Sequence, residues 1–319
     1  MYNTPLLLVV YNRPEYTSKL FDAIKVIKPR FLYIAGDGPK DEKDRILVEQ
    51  TRAVFNQIDW DCELKLYYRT HNEGCGLGVS NGISWFFDQV EYGVILEDDC
   101  IPTMSFFYYC EELLVKYKDN PDVMMIGGSS WLDASFTYPY DYFFTHIGSI
   151  WGWASYKRAW KKYQFSITPE MIALAKANKV WSEFSDKETK KFRLKLLQAT
   201  FDKTVDTWDI QWAYCLSVHK GISILPIKNQ ITNIGVNGVN YNSETRLTNL
   251  NTFNIDVKAI RHPTQVVVDE KMDKYYQELE SKKFLRRIEP AYRYYYNKSK
   301  YYILRFLISI GLFNENPSH

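Results

Sequence analysis

The chain is short of the features that usually reveal where a protein works. Its five cysteines (Cys62, Cys75, Cys100, Cys110 and Cys215) are odd in number and scattered, with no CxxC pair. That excludes a disulfide framework and a structural zinc site, and it fits a reducing compartment. Long apolar runs are missing as well. The run at the N-terminus, Pro5 to Val10, is six residues long, too short for a signal-peptide core or a membrane span. A cytoplasmic protein is therefore expected. Bias of charge is absent too: 40 Lys and Arg balance 38 Asp and Glu, a net charge of +2, which gives no ground for a nucleic-acid partner. No low-complexity tract or internal repeat interrupts the 319 residues.

What the chain does have is apolar content and aromatics. Hydrophobic residues make up 46%, with 25 Tyr and 9 Trp, enough for a full core in one large domain or in one domain with a smaller appendage. The N-terminal half alternates strand and helix signals. Pro5 to Val10 reads as a buried strand. Leu20, Phe21, Ile24 and Ile27 then fall at helical spacing. Arg30 to Ala35 is a second strand, closed by Gly36-Asp37-Gly38-Pro39, a strong loop signal. Leu47, Thr51, Val54 and Ile58 mark one face of a helix from about Glu42. Glu63 to Arg69 alternates as a third strand. Val79, Ile83, Phe86 and Val90 line a helix leading into a fourth strand, Val94 to Leu96. A further helix, about Met104 to Tyr117, precedes Val123 to Ile126.

Repeated βα units with uninterrupted apolar strands imply a mainly parallel sheet flanked by helices. Beyond residue 150 helices are expected at about Ser155 to Lys162, Pro169 to Asn178, Lys187 to Ala199 and Asp209 to His219. A strand follows at Ile222 to Leu225. Residues 227–254, rich in Asn, Gly and Thr, read as a long active-site loop.

The chemistry is concentrated where the fourth strand ends. Gly93-Val94-Ile95-Leu96 runs directly into Glu97, Asp98 and Asp99, three like charges from which folding gains nothing. In a parallel sheet, ligands bind beyond the carboxyl ends of the strands. Asn12-Arg13 and Asp37 stand at two other such ends. Carboxylates there suit a hard divalent cation, Mg²⁺ or Mn²⁺, that also holds phosphate oxygens. Adjacent strand residues point to opposite faces, so Glu97 and Asp99 share a side.

In this setting the triplet resembles the DxD-type metal motif of GT-A glycosyltransferases, here as EDD, with the likeness running over about residues 4–240. Pro5 to Pro14 is similar to the family's first strand and nucleotide-binding turn. Asn72-Glu73-Gly74-Cys75-Gly76-Leu77-Gly78 resembles its glycine-rich lead into the helix before the metal motif. Ile150 to Ser155 and Thr207-Trp208-Asp209-Ile210-Gln211-Trp212 resemble segments of the N-acetylglucosaminyltransferase I type. One departure is plain, since that type's second acid in the latter segment is Ile210 here.

The resemblance implies a Rossmann-like nucleotide-diphospho-sugar transferase fold and an inverting, Mn²⁺-dependent or Mg²⁺-dependent transfer from a UDP-sugar. The sugar would be GlcNAc or a related hexosamine, and the acceptor a glycan or lipid-linked oligosaccharide of the kind used for bacterial surface polysaccharides. Asp99 is then the metal ligand, and Glu97 and Asp98 orient the donor's hydroxyls. Asn12, Arg13 and Asp37 frame the nucleotide, and Gly76 with its neighbouring glycines approaches the diphosphate. Asp209 is the catalytic base, with Asp206, Glu183 and Asp186 as rivals. Trp151, Trp153 and Trp208 lie on the acceptor side.

The catalytic domain is expected to span residues 1–268, with a nucleotide-binding half, 1–126, and an acceptor half, 127–268. Residues 269–319 form a C-terminal helical tail. Within it, 282–313 place Leu285, Ile288, Tyr292 and Phe306 on one helical face and Lys and Arg on the other. Such a pattern suits a helix lying on the inner face of the cell membrane, or one docked on the catalytic domain or on a second subunit in a homodimer. Two further classes compete with glycosyl transfer: a nucleotidyltransferase or sugar-nucleotide hydrolase on the same fold, and a non-catalytic carbohydrate-binding protein. The basic Gly-rich signature of a nucleotidyltransferase is absent from Leu6 to Arg13.

Overall fold

A computed structural model describes residues 1–235 and 251–280. The loop residues 236–250 and the amphipathic stretch 282–313 singled out above lie outside the described residues.

The chain opens with β1 (Leu6–Val10), five wholly buried residues. α1 (Pro14–Ile27) follows, with Pro14 at its first position, where a missing N–H costs nothing. Next come β2 (Phe31–Gly36), α2 (Glu42–Ala53) and, after a 3₁₀ turn, β3 (Glu63–Tyr68). Asp41 caps α2 by accepting from the backbone N–H of Asp44. The inward positions of α2 are Val48 and Thr51, whereas Leu47 is 41% exposed. Of the face read in the sequence, Thr51 and Val54 are buried as expected, and only at Leu47 does the neighbouring Val48 take the inward place. α3 (Gly74–Gln89) begins inside the glycine run, and β4 (Tyr92–Glu97) ends on the first acid of the triplet. β5 (Cys100–Pro102), α4 (Met104–Lys116) and β6 (Val123–Gly127) complete this half.

In the second half, β7 (Tyr142–Thr145) was not legible from periodicity. The helix expected from Ser155 is a strand, β8 (Trp153–Tyr156), and only the four-residue α5 (Lys157–Trp160) follows it. Four consecutive buried residues in β8 are read as helix or strand equally well until a partner is known. α6 (Pro169–Lys176), α7 (Lys187–Phe201), α8 (Asp209–Val218), β9 (Ile222–Pro226), β10 (Ile231–Asn233) and α9 (Glu270–Glu280) complete the described elements.

Eight strands form one sheet in the order β3-β2-β1-β4-β8-β6-β9-β7. β3, β2, β1 and β4 are parallel, as are β6 and β9. β8 runs antiparallel between β4 and β6, and β7 antiparallel on the far edge. A mixed α/β fold with a largely parallel central sheet flanked by helices is thus what the chain adopts. The two reversed strands come from residues 142–156, where the βα alternation breaks down. β5 and β10 pair separately, Cys100 opposite Asn233, and this small ladder closes over the end of β4.

Two buried clusters hold the molecule. The first joins the sheet to α1, α3 and α4 through residues such as Leu8, Ile24, Phe86, Ile95 and Phe106. The second lies under α6 to α8 and includes Trp131, Phe143, Trp181 and Ile210. Met272 and Tyr276 of α9 belong to it. Asp273, 4% exposed, accepts from the Thr145 hydroxyl, the His146 backbone N–H and Gln277 Nε2. The tail drawn from residue 269 therefore starts within the packed core, because α9 buries one face and satisfies a buried carboxylate there. Among the described residues, no helix is long and apolar enough to cross a membrane.

Candidate functional site

The carboxylate corner forms where β4 gives way to a two-residue turn and β5. Asp98 N–H bonds to Val9 carbonyl on the neighbouring β1, and Ile234 N–H bonds to Asp99 carbonyl from the β10 side. These two backbone bonds fix the direction of each side chain. Arg13, just before α1, reaches across. Its Nη2 and Nε grip both oxygens of Asp98, the latter at 3.2 Å, and its Nη1 donates to Asp99 Oδ2 at 3.0 Å. Asp98 is 1% exposed, and besides this fork its carboxylate accepts from the Tyr11 backbone N–H. Burial works against the Arg13 charge, but Asp98 and Asp99 outweigh it and raise its pKa.

Arg13 and Asp98, assigned to the donor from the sequence, are thus committed to each other. Three carboxylates met by one guanidinium leave an excess of two negative charges. Glu97 carries the consequence. Its side chain takes no hydrogen bond from a described residue, and burial first, then the charge of Asp99, hold its pKa well above the usual carboxylate range. Arg13 opposes this shift, and Asp209 adds to it.

Trp208, next to Asp209, stacks on Trp153, which pairs with Ile95 of β4, and this brings Asp209 within reach of the Glu97 charge from 112 positions away in sequence. Asp209 is the first residue of α8, and its Oδ1 accepts from Thr207 Oγ1 at 2.7 Å. It does not cap the helix, since the capping position is Trp208. Tyr163 holds that position by donating its hydroxyl to Trp208 carbonyl at 3.1 Å. Cys75, in the first turn of α3, lies among the same charges. Burial, then Glu97, Asp209 and Asp206, push its thiol pKa up, which disfavours the thiolate. Ile210, which replaces the second acid of the resembled segment, is 3% exposed and belongs to the second core.

The glycine run behaves differently from expectation. Gly76 N–H donates to Asp206 Oδ1 at 3.0 Å. A Cβ on Gly74 would stand 2.4 Å, and one on Gly76 2.5 Å, from an Asp206 oxygen. Gly74 also has φ +84°, a conformation that glycine tolerates. The start of α3 therefore receives the chain's own carboxylate, as a helix N-terminus favours an anion. Of the other rival bases, Asp186 caps α7 through Thr189 N–H.

Asp37 is at the same rim, 8% exposed, with both oxygens occupied. Gly38 N–H, Glu73 N–H, Gly74 N–H and Asn72 Nδ2 all donate to it, at 2.9, 3.0, 3.2 and 2.9 Å. Its carboxylate organises the turn into α3. Asp37→Ala should strand these donors and cost roughly 1–3 kcal/mol, read as a lower urea midpoint with an unchanged slope. A midpoint equal to that of the unaltered protein would show that water replaces the carboxylate at no cost.

Asn12 Nδ2 donates to Asp44 Oδ1 at 2.5 Å, and Tyr11 and the Lys40 backbone N–H bond to the same carboxylate. Asp44 and Thr207 were missed from the sequence, because both look like ordinary helix-start residues. Two acceptor-side assignments need correction. Trp153 is 0% and Trp208 2% exposed. Their rings stack at 5.8 Å within a group that includes Trp160 and Trp212. They offer no face to a sugar. Trp151 is only partly buried, edge-on to Trp131 at 5.5 Å.

The resembled family implies a divalent cation here. Among the described residues, no group of three or more His, Cys, Asp or Glu is arranged to hold one. The donor set nevertheless fits a hard cation with few protein ligands. Among the described residues nothing donates to the Glu97 carboxylate, and Asp99 takes Arg13 Nη1 on Oδ2 and, on Oδ1, the Cys100 thiol at 3.4 Å and Asn233 Nδ2 at 3.5 Å, two uncharged donors. Gly235 closes the other side of Asp99, where a Cβ would stand 2.4 Å from Oδ2.

No family model and no curated protein matches the chain. Among solved structures, it is similar to apo UDP-glucose pyrophosphorylase, at 8% identity over 72% of this chain and 93% of that one, TM-score 0.35. It is similar to mouse xyloside xylosyltransferase 1, at 10% identity over 68% and 82%, TM-score 0.33. A third is 4-diphosphocytidyl-2C-methyl-D-erythritol synthase from Anaerococcus prevotii, at 12% identity over 55% and 84%, TM-score 0.33. Likeness this faint says nothing about the site, which has to be judged on its own residues.

Proposed function

We propose that the chain is an inverting glycosyltransferase. In this reading it uses a nucleotide-sugar, UDP-linked by preference, and Mn²⁺ or Mg²⁺ to glycosylate a hydroxyl of a glycan or lipid-linked saccharide. One observation carries the reading. The Glu97 carboxylate, to which no described residue donates, and Asp99, held through Oδ2 by Arg13, stand together at the carboxyl end of a central parallel strand, and Asp209 is close enough to bear on Glu97.

Asp99 would hold the cation, with Glu97 beside it. Once bound, the cation supplies counter-charge to the diphosphate that departs. Arg13 keeps Asp98 and Asp99 in place through three side-chain hydrogen bonds, so its task is positioning. Glu97 accepts hydrogen bonds from sugar hydroxyls. Asp209, turned by the Thr207 hydroxyl on Oδ1, keeps Oδ2 to take the proton of the attacking acceptor oxygen, as a general base must. Burial of Trp153, Trp208 and Trp212 behind it keeps water from that side. Partly buried Trp151 remains as the acceptor-side aromatic. A hexosamine such as GlcNAc is the sugar that the sequence resemblance favours.

The test is a thermal-shift panel of UDP-, GDP-, dTDP- and CMP-sugars with and without Mn²⁺, followed by product analysis. Stabilisation by a UDP-sugar only with Mn²⁺, with release of UDP and a glycosylated acceptor, is the expected outcome. Release of pyrophosphate would identify a nucleotidyltransferase instead. Binding with no turnover on any acceptor would identify a carbohydrate-binding protein.

A further inference from the structure

The open edge of the sheet at β3 is built to pair with itself. β3 bonds on one side only, to β2. Glu63 N–H reaches Arg30 carbonyl at 2.7 Å, and Arg69 N–H reaches Gly36 carbonyl at 3.0 Å. In a parallel ladder, the residues between those that bond inward turn their N–H and C=O the other way. Leu64 and Leu66 therefore aim both backbone groups outward. Glu63, Leu64, Lys65 and Leu66 are all exposed, and Leu64 and Leu66 show 38% and 49% of their surface. Among the described residues nothing covers this edge. An edge strand with outward backbone groups is a template for pairing with another chain; charges ordinarily blunt it, but here the two, Glu63 and Lys65, are of opposite sign.

From this we infer that β3 joins β3 of a second copy of the chain, antiparallel about a two-fold axis at Leu64. The sequence of the strand selects that register over its neighbour. Centred on Leu64, the outward backbone groups of Leu64 meet those of Leu64, and Leu66 meets Cys62. Glu63 then faces Lys65 twice, in the closer non-hydrogen-bonded pairs. Centred one residue later, Lys65 would oppose Lys65 and the attraction would become repulsion. Lys65 already donates to Gln89 Oε1 at 3.1 Å, and an ammonium retains two further donors for the partner's Glu63. The pairing would give one continuous sheet. Because the two copies run in opposite directions, their carboxylate corners would open at opposite ends.

The test uses the full chain. Its mass by light scattering over a concentration series should approach twice that of the monomer. Glu63→Lys should weaken the dimer at least about tenfold by placing like charges opposite each other. Glu63→Lys combined with Lys65→Glu should restore it. In a Cys62→Ser background, Leu64→Cys should form an intermolecular disulfide under mild oxidation, since paired Cα atoms lie about 5.5 Å apart. Leu66→Cys should do so only when Cys62 is retained. Thermal melts of the variants confirm that each is folded. A monomer at every concentration overturns the proposal. So does a dimer that survives Glu63→Lys and fails to cross-link through residue 64.

Discussion

Replacing Asp99 by Ala should remove the Mn²⁺-dependent part of nucleotide-sugar binding altogether while leaving the fold in place. The two consequences separate because of how the corner is shared. Asp99 takes a single bond from Arg13, at 3.0 Å, and its side chain is 18% exposed. Its loss leaves Arg13 still forked onto Asp98 but frees the Cys100 and Asn233 donors, so the apo protein should lose about 1–3 kcal/mol and stay folded. What goes is the carboxylate with spare coordination beside Glu97. Thermal shift with a UDP-sugar, with and without Mn²⁺, reads both quantities in one experiment. An unchanged metal-dependent shift would move the ligand from Asp99 to Glu97. Asp98→Ala is the informative contrast. Asp98 is buried and takes two of the guanidinium's bonds, so its removal strands a charge and should destabilise the chain first.

Asp209→Asn should leave donor binding nearly intact and slow transfer by about 10²-fold or more, the usual contribution of a general base. The amide keeps the shape and still accepts from Thr207 through its carbonyl oxygen, so α8 starts in the same place. Only the capacity to take a proton is lost. Initial rates with saturating donor, compared with the unaltered protein, measure this. A small effect would shift the base to another group near Glu97. Asp206 is the nearest rival by sequence, but its carboxylate is held by Gly76 N–H at the start of α3. Asp206→Asn should therefore affect stability more than rate.

How much of this was legible beforehand differs from element to element. β1, β2 and β4 announce themselves, because a strand covered on both faces must be apolar throughout. The helices between them follow from the 3.6-residue repeat. The placement of Glu97, Asp98 and Asp99 at a strand end needs only that alternation, and so does their proximity to Arg13. The sequence cannot show what each charge spends itself on. Arg13 could serve a phosphate or a neighbouring acid with the same atoms, and only the position of Asp98 on the adjoining strand decides for the acid. Likewise, a tryptophan in Trp153 or Trp208 has the chemistry of a sugar platform. Burial among Trp160 and Trp212 removes that use.

The order of residues by itself determined the parallel half of the sheet, the acidic corner at its rim and the odd, unpaired cysteines, since these depend on local periodicity and composition. Tertiary structure alone decided the antiparallel strands of residues 142–156, the inclusion of α9 in the core, and which group each carboxylate of the corner meets. Those outcomes rest on partners far away in sequence, Asp273 with Thr145 or Asp209 with Glu97. No window read along the chain contains both members of such a pair.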